Sequence, residues 1–381
     1  MRRNKEFVAK LLERASFPSK SENSVRDLLG NKKIILYGAG SGNITFSSFV
    51  LNRFGLKPFL VLDKKFKYGD RYLGIPAVSP REYKPTEEEK EQAVVVVTVG
   101  KNEYYKEIFA SLAKLQMKNV ILANDVYEYH VPQLPTELAS KGFEYYLDRK
   151  EQILACPDIF ADDLSLEVYT RFLQNHLLRK PIKIPSRSMD ELYFPADIKL
   201  NKGYARFINC GAYNGDSVKR LNALLGKIEA LACFEPDLEN YRLLTKYLSS
   251  MPDEIAQCIL SFPCGVFSND TQLHFETGNQ VNSTISDKGA SFIQCVMLDH
   301  ALPGFNPTFI NMNIEGAELD ALMGAEQTIR KNKPDLAICV YHSPSHVWEI
   351  PLFLKSLQLG YKFYLRNYSS FPTETVLYAT I

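Results

Sequence analysis

The chain has 381 residues, 45% apolar and 23% charged, with 45 Lys plus Arg against 44 Asp plus Glu and a formal net charge of +1. That length and composition suit two or three domains with sizeable cores, and the even charge balance argues against nucleic acid as a partner, since phosphate contacts demand a basic excess. Apolar runs such as "AVVVVTV" at 93–99 are far shorter than the ~20 residues that cross a bilayer, and the basic start "MRRNKEFVAKLLERASF" reads as an amphipathic helix rather than a signal peptide, so a cytoplasmic protein without membrane insertion is expected.

Residues 1–30 form an N-terminal helical segment, and an α/β block fills 31–130. "KKIILYG", "FLVLD", "AVVVVTVG" and "NVIL" read as strands, with helices over "GAGSGNITFSSFVLNRFG" and "YYKEIFASLAKLQ" between them. Val- and Ile-rich strands alternating with helices imply parallel βαβ units, half of a doubly wound, Rossmann-like sheet. Gly38, Gly40 and Gly42 follow its first strand, and Asp63 closes the second strand 25 residues after Gly38, which is the spacing of a nucleotide site. Asn43 stands where that fingerprint places its third glycine, so a scaffold without a ligand reads equally well.

A helical linker region follows over 131–200. It holds helices over "TELASKGFEYYLDRKEQIL" and "LSLEVYTRFLQNHLL", the second capped by Asp162 and Asp163, and then a proline-bearing strap, "RKPIKIPSRSMDELYFPADI", expected to pack over the next domain.

A second α/β domain occupies 201–381. Its strands are "ARFINC", "ALACFEP", "ILSFPCGVFS", "PTFINMNI", "DLAICVY", "KFYLRNY" and "ETVLYAT", with a hairpin from "TQLHFETG" to "SFIQCVML". Helices are expected over "DSVKRLNALLG", "DLENYRLLTKYLSS", "VWEIPLFLKSLQLG" and, as a single helix, "GAELDALMGAEQTIRKNK". The seven cysteines (156, 210, 233, 258, 264, 295 and 339) are odd in number and lack CxxC spacing. They read as reduced thiols, with neither a disulfide frame nor a metal site.

The chemistry concentrates at the carboxyl ends of these last strands. Gly211 and Gly215 bracket the turn into a helix starting at Asp216, and small residues there let a backbone approach a ligand. Glu235 ends the next strand 24 residues after Gly211, where doubly wound folds bond ribose hydroxyls. Asn209, Gly211, Ala212, Tyr213, Gly215, Asp216, Glu235 and Asn313 make up the expected cofactor-binding set. Asn311, Asn313 and Glu315 alternate along the "FINMNIEG" strand tip, where unpaired polar groups make poor core; they serve either to cap the following helix or to face substrate. His342 follows the "DLAICVY" strand and is expected in the same cleft, with His346 and Trp348 as candidate lid residues, the tryptophan reading equally well as core.

The stretches "ADDLSLEVYTRFL", "YFPADI", "FINCGAYNGDS", "CFEP", "VMLDHAL", "INMNIEGAELDALMGAEQTI", "PDLAICVYHSPSHVWEIP", "YLRNYS" and "ETVLYA", in this order over about 145–381, resemble the FkbM-type family of S-adenosylmethionine-dependent methyltransferases. The upstream block resembles nucleotide- or nucleotide-sugar-binding modules. The resemblance implies a class I methyltransferase fold, a seven-stranded sheet with an antiparallel last strand, preceded by a smaller Rossmann-like domain. It implies S-adenosylmethionine as cofactor and O-methylation of a sugar or polyketide-type hydroxyl. Gly211 and Gly215 would then border the methionine part and Glu235 would hold the ribose. His342 and Glu315 would be base candidates, with Asn311 and Asn313 as orienting groups. The chain departs from that pattern at Asn209, where an acid is usual, at Asn311 and Asn313, where Lys and Asp are usual, and at Asn367, where His is usual. Asparagine keeps hydrogen-bond geometry without charge or basicity. A non-catalytic binding protein of the same fold is therefore an alternative, and an NAD-dependent oxidoreductase working through Gly38–Gly42 and Asp63 is a second. The acceptor is expected to be a small molecule or glycan; the assembly state is left open, a homo-oligomer included.

Overall fold

The computed structural model describes residues 2–14, 21–100, 104–131, 143–178, 182–250, 252–276, 284–285, 291–369 and 371–381. The beginning of the helix expected over 136–154 and the tip of the expected hairpin lie outside them. The chain forms two compact units, Lys10–Lys150 with Leu177–Arg179, and Met1–Ala9 with Glu151–His176 and Lys180–Ile381.

The first unit is built on a six-stranded sheet: β1 (Ile34–Tyr37), β2 (Pro58–Leu62), β3 (Asp70–Tyr72), β4 (Ile75–Val78), β5 (Val94–Val97) and β6 (Asn119–Leu122), in the order β3-β4-β2-β1-β5-β6. All strands but β3 run parallel. Every residue of "IILY" and "VVVV" is buried because both faces of the sheet are covered. Ile34, Leu36, Val94 and Val96 enter one core, and Ile35, Tyr37, Val95 and Val97 enter the other, the period-2 alternation of a strand. The short β3–β4 pair is absent from the sequence reading. It turns on Leu73 and Gly74, both at positive φ (49° and 81°), the backbone of a two-residue type I′ hairpin.

The second unit carries a seven-stranded sheet of β7 (Arg206–Cys210), β8 (Ile228–Phe234), β9 (Ala256–Phe262), β14 (Phe309–Met312), β15 (Asp335–Cys339), β16 (Lys362–Asn367) and β17 (Thr375–Thr380). The intervening β10 (Gly265–Val266), β11 (Thr271–Glu276), β12 (Thr284–Ile285) and β13 (Ser291–Val296) form a separate small sheet in which β11 and β13 are the expected hairpin. The large sheet runs β16-β17-β15-β14-β7-β8-β9, with β17 antiparallel to both neighbours. This is the class I methyltransferase-like order the resemblance implies. The chain leaves β7 toward β8 and returns to build outward from β14, so the topological switch lies between β7 and β14, where ligands enter such sheets.

Two local departures have physical causes. The single helix expected from Gly316 is two, Glu318–Met323 and Glu326–Asn332. They part at Gly324, where a Cβ would sit 2.0 Å from the Phe267 carbonyl oxygen; close backbone approach dictates glycine, and glycine weakens the helix. In the helix His346–Ser356, Pro351 denies its N–H to the Val347 carbonyl, and the Cys156 thiol donates to that carbonyl instead, at 3.7 Å.

Candidate active site

The ends of β7, β8 and β14 open into a cavity of about 330 Å³, the lower end of the usual ligand-pocket range. The turn after β7 sets its floor. Gly211 has φ 78°, and a Cβ there would meet the Asn313 carbonyl oxygen at 1.9 Å, so strand β14 and this loop touch backbone to backbone. Gly215 caps the helix Asp216–Leu225 at φ 84°. Glu235, just past β8, is buried and ties the loop down: one carboxylate oxygen accepts the Tyr213 N–H at 2.8 Å and the other the Asp237 N–H at 2.9 Å. Burial pushes its carboxyl up, against the backbone bonds from Asp237 and Tyr213.

Asp63 does the same for the glycine loop of the first unit, accepting the Ala39 N–H at 2.8 Å and the Lys65 N–H at 3.1 Å. There, however, Lys65 Nζ donates to the Ala39 carbonyl and Asn43 Nδ2 to the Gly38 carbonyl, so the loop of Gly38, Gly40 and Gly42 is bonded largely to itself.

Of the sequence-derived residues, Gly211, Tyr213, Asp216, Glu235, Asn311, Asn313 and Glu315 line the cavity. Asn209, Ala212, Gly215 and His342 are not among the lining residues. Asn209 is fully buried in β7, donating to Ser217 Oγ at 2.8 Å and accepting from Asn311 Nδ2 at 2.9 Å. The Gly211 and Ala212 N–H groups both donate to the Phe234 carbonyl, each at 3.0 Å. Asn313 Nδ2 donates to the Tyr193 hydroxyl at 2.9 Å. The Oδ1 atoms of Asn311 and Asn313 are buried without a hydrogen-bond partner.

His342 belongs to a charged relay that ends at the cavity. Glu318, on the first turn of its short helix, is completely buried and accepts from His342 Nδ1 at 2.7 Å and from the Ile314 N–H at 2.9 Å. His346 Nδ1 lies 3.2 Å from its other oxygen, outside hydrogen-bonding alignment. Burial alone would raise the Glu318 carboxyl, but His342, with His346 adding to it, holds it far below the carboxylate range. Burial likewise pulls the His342 imidazole down, and the Glu318, Glu315 and Glu374 carboxylates outweigh it and raise it, favouring the doubly protonated ring. Its Nε2 is 3.7 Å from Glu315 Oε1. Glu315 faces the cavity with its carboxyl pushed up, by burial first and by Glu318, against the opposing pull of His342.

A raised imidazole contributes stability that is full below its unfolded value and is lost as pH rises through the folded one. The melting-temperature gap between wild type and His342→Asn is thus expected to be about 2–4 °C below about pH 6.5 and to shrink toward pH 9; a gap that widens with pH would contradict the pairing.

Several lining residues escape sequence reasoning: Met189, Leu192, Tyr193, Arg220, Cys295 and above all Glu374. Arg220 pins the strap by donating to the Met189 and Leu192 carbonyls at 2.9 and 3.4 Å. Tyr193 (φ 68°), Tyr213 (47°), Glu315 (55°) and Glu374 (58°) are four of the nine non-glycine residues at positive φ among those described. Such backbone costs on the order of 1–3 kcal/mol each and collects at functional sites. For Glu374 the positive φ just before β17 is the one signal, and it is conformational rather than sequential.

Residues 209–363 match the model of the methyltransferase FkbM domain. Over 99% of this chain and 97% of that one, the structure resembles the crystal structure of methyltransferase FkbM from Methylobacillus flagellatus KT, with a TM-score of 0.74 at 20% identity. An rRNA methylase from Streptococcus thermophilus (12% identity, 48% of this chain and 88% of that one, TM-score 0.29) and a putative rRNA methylase from Clostridium thermocellum (11%, 47% and 88%, 0.31) align too weakly to carry an argument. No curated protein matches. The sheet order and the matched segment agree: the second unit has a class I methyltransferase-like fold, and its residues 209–363 match the methyltransferase FkbM domain.

Proposed function

We propose that this protein is an S-adenosylmethionine-dependent O-methyltransferase whose acceptor is a hydroxyl of a sugar, glycan or glycan precursor. The observation that carries the reading is the pairing, across one cavity, of the Glu235-tied loop with the Glu315–His342–Glu318 relay. The residues present fit the cofactor. The Gly211 cradle admits no side chain, Asn311 and Asn313 offer buried oxygens without partners, and Glu235 keeps lone pairs beyond those its two N–H donors use.

When bound, the cofactor supplies an electrophilic methyl on a sulfonium. Glu235 would hold the ribose hydroxyls and the Gly211–Asp216 loop the amino-acid end. A sugar hydroxyl is a weak acid, so a positioned base helps. Glu315 is that base by position: it lines the cavity, while His342 behind it compensates charge and orients the carboxylate. Asn313, locked by Tyr193, and Glu374 would orient the acceptor, and Met189 and Leu192 help wall off water.

Glu235→Ala is expected to weaken S-adenosylmethionine binding at least about tenfold in calorimetry, because it removes the ribose partner and releases the loop; unchanged affinity would refute its role. Incubation with methyl-labelled cofactor and a panel of free, nucleotide-linked and lipid-linked sugars together with polyketide-type alcohols tests the acceptor class. Label appearing only on non-sugar hydroxyls would overturn that part of the reading.

One observation favours a second reading, a binding protein without turnover. The buried Asn311–Asn209–Ser217 chain is neutral, and the resembling family carries charge at both asparagine positions. Bound cofactor with no methylated product across that panel would favour it.

A further inference from the structure

The charged side chains around the cavity are mostly carboxylates. Asp216, Glu235, Glu315 and Glu374 line it, and Arg220, the guanidinium among the lining residues, already donates to two backbone carbonyls. Clustered acids do not by themselves make a site. The independent observation is Asn311, which is 1% exposed and lines the cavity with a partnerless Oδ1. Its Nδ2 is committed to Asn209, just as that of Asn313 is committed to Tyr193, so each amide has its nitrogen engaged and only its oxygen left without a partner. A buried acceptor left unpaired is costly, and here two amide oxygens stand with the carboxylates Glu315 and Glu374, both held at positive φ. Such a wall attracts positive charge, and more strongly where water is displaced.

Building on the proposed cofactor, we infer that Asn311, Asn313, Glu315 and Glu374 form a cation-selecting pole, so that this protein binds the sulfonium donor in preference to the neutral thioether left after transfer. The two ligands differ by one methyl and one positive charge. Preference for the charged one ejects the product and leaves the enzyme little inhibited by it. Glu374, which no sequence motif marks as polar-site material, is thereby a specificity-determining residue.

The test is calorimetric titration of the full chain with S-adenosylmethionine, with sinefungin (its amine-bearing, cationic analogue) and with S-adenosylhomocysteine. At about pH 8, where carboxylates are ionised, both cations are expected to bind about tenfold or more tightly than the thioether. In Glu374→Gln the gap should narrow to about threefold or less. Wild type supplies a second arm. Burial raises both carboxyls: Glu315 faces His342 and Glu318, and Glu374 faces His342, Glu315, Tyr341 and Asp216. Lowering the pH to about 5.5 should therefore neutralise part of the pole before ordinary carboxylates titrate and should narrow the wild-type gap as well. Thioether binding equal to or tighter than both cations at pH 8 overturns the inference and leaves the proposed function standing. A gap unmoved by both the substitution and the pH change overturns the assignment of the pole. Failure of all three adenosyl ligands to bind overturns both the inference and the function on which it rests.

Discussion

Glu315→Gln is expected to lower methyl-transfer turnover about 10²–10⁴-fold, the usual worth of a positioned base, while the cofactor site still saturates. The substitution keeps the side-chain shape and the turn at φ 55° before Gly316 (φ 107°), so a loss of this kind reads as chemistry rather than misfolding. The pH profile separates the base from its support. Wild-type turnover should rise with pH as Glu315, pushed up by burial, gives up its proton, and the residual activity of the variant should lack that limb. His342→Gln should cost less and shift the limb, since His342 touches Glu315 from behind and does not line the cavity. Turnover of Glu315→Gln within about threefold of wild type would assign the proton to another group.

Arg366→Leu is expected to destabilise the second unit by about 3–5 kcal/mol, the cost of breaking a buried ionic cluster. Arg366 is 2% exposed and holds three segments together. It donates to Asp162 at 2.6 Å at the start of the helix Asp163–Leu178, to Asp197 at 2.9 Å in the strap, and to Ser165 at 3.1 Å. The two aspartates are partly exposed, at 33% and 24%, so water reaches them once the guanidinium is gone and the lower end of the range is expected. Burial alone would raise the Asp162 carboxyl, and Arg366 reverses this and lowers it. A lowered carboxyl stabilises the fold above its unfolded value, about 3.9, and ceases to as pH falls through the folded value. The gap in denaturant midpoint between wild type and Arg366→Leu should therefore be full at neutral pH and close in acid. A gap that persists unchanged at pH 3 would mean that the loss comes from packing alone.

Features that depend on local chain statistics were legible in the sequence. The strand tips at Cys210, Phe234 and Met312, the glycine loop and the acid at Glu235 follow from period-2 burial and turn residues, and they meet because neighbouring parallel strands end together. Depth was not legible. Spacing puts His342 at a strand tip but does not tell whether it faces ligand or stands a layer back. That is decided by Glu318, which reads as an ordinary first-turn helix acid and is in fact completely buried. Glu374 joins Glu315 only because β17 runs antiparallel and brings its entry beside the exit of β14 through β15. Asn367, which the family resemblance marks as a lost histidine, is fully employed. Its Nδ2 donates to the carbonyls of Phe371 and Thr373 and to Thr375 Oγ1, and its Oδ1 accepts the Ser369 N–H. It shapes the turn that delivers Glu374. Asn209 and Asn311 count as missing charges by the same resemblance, yet they bond each other and leave one buried oxygen without a partner.

The proposed methyl transfer requires that the cavity at the ends of β7, β8 and β14 take an adenosyl cofactor. Equilibrium titration of the wild-type chain with S-adenosylmethionine, with NAD titrated in parallel, tests this most directly. Saturable one-to-one binding of S-adenosylmethionine on the order of micromolar, undiminished by excess NAD, is the predicted result. No detectable binding of S-adenosylmethionine, or its displacement by NAD, would contradict the account.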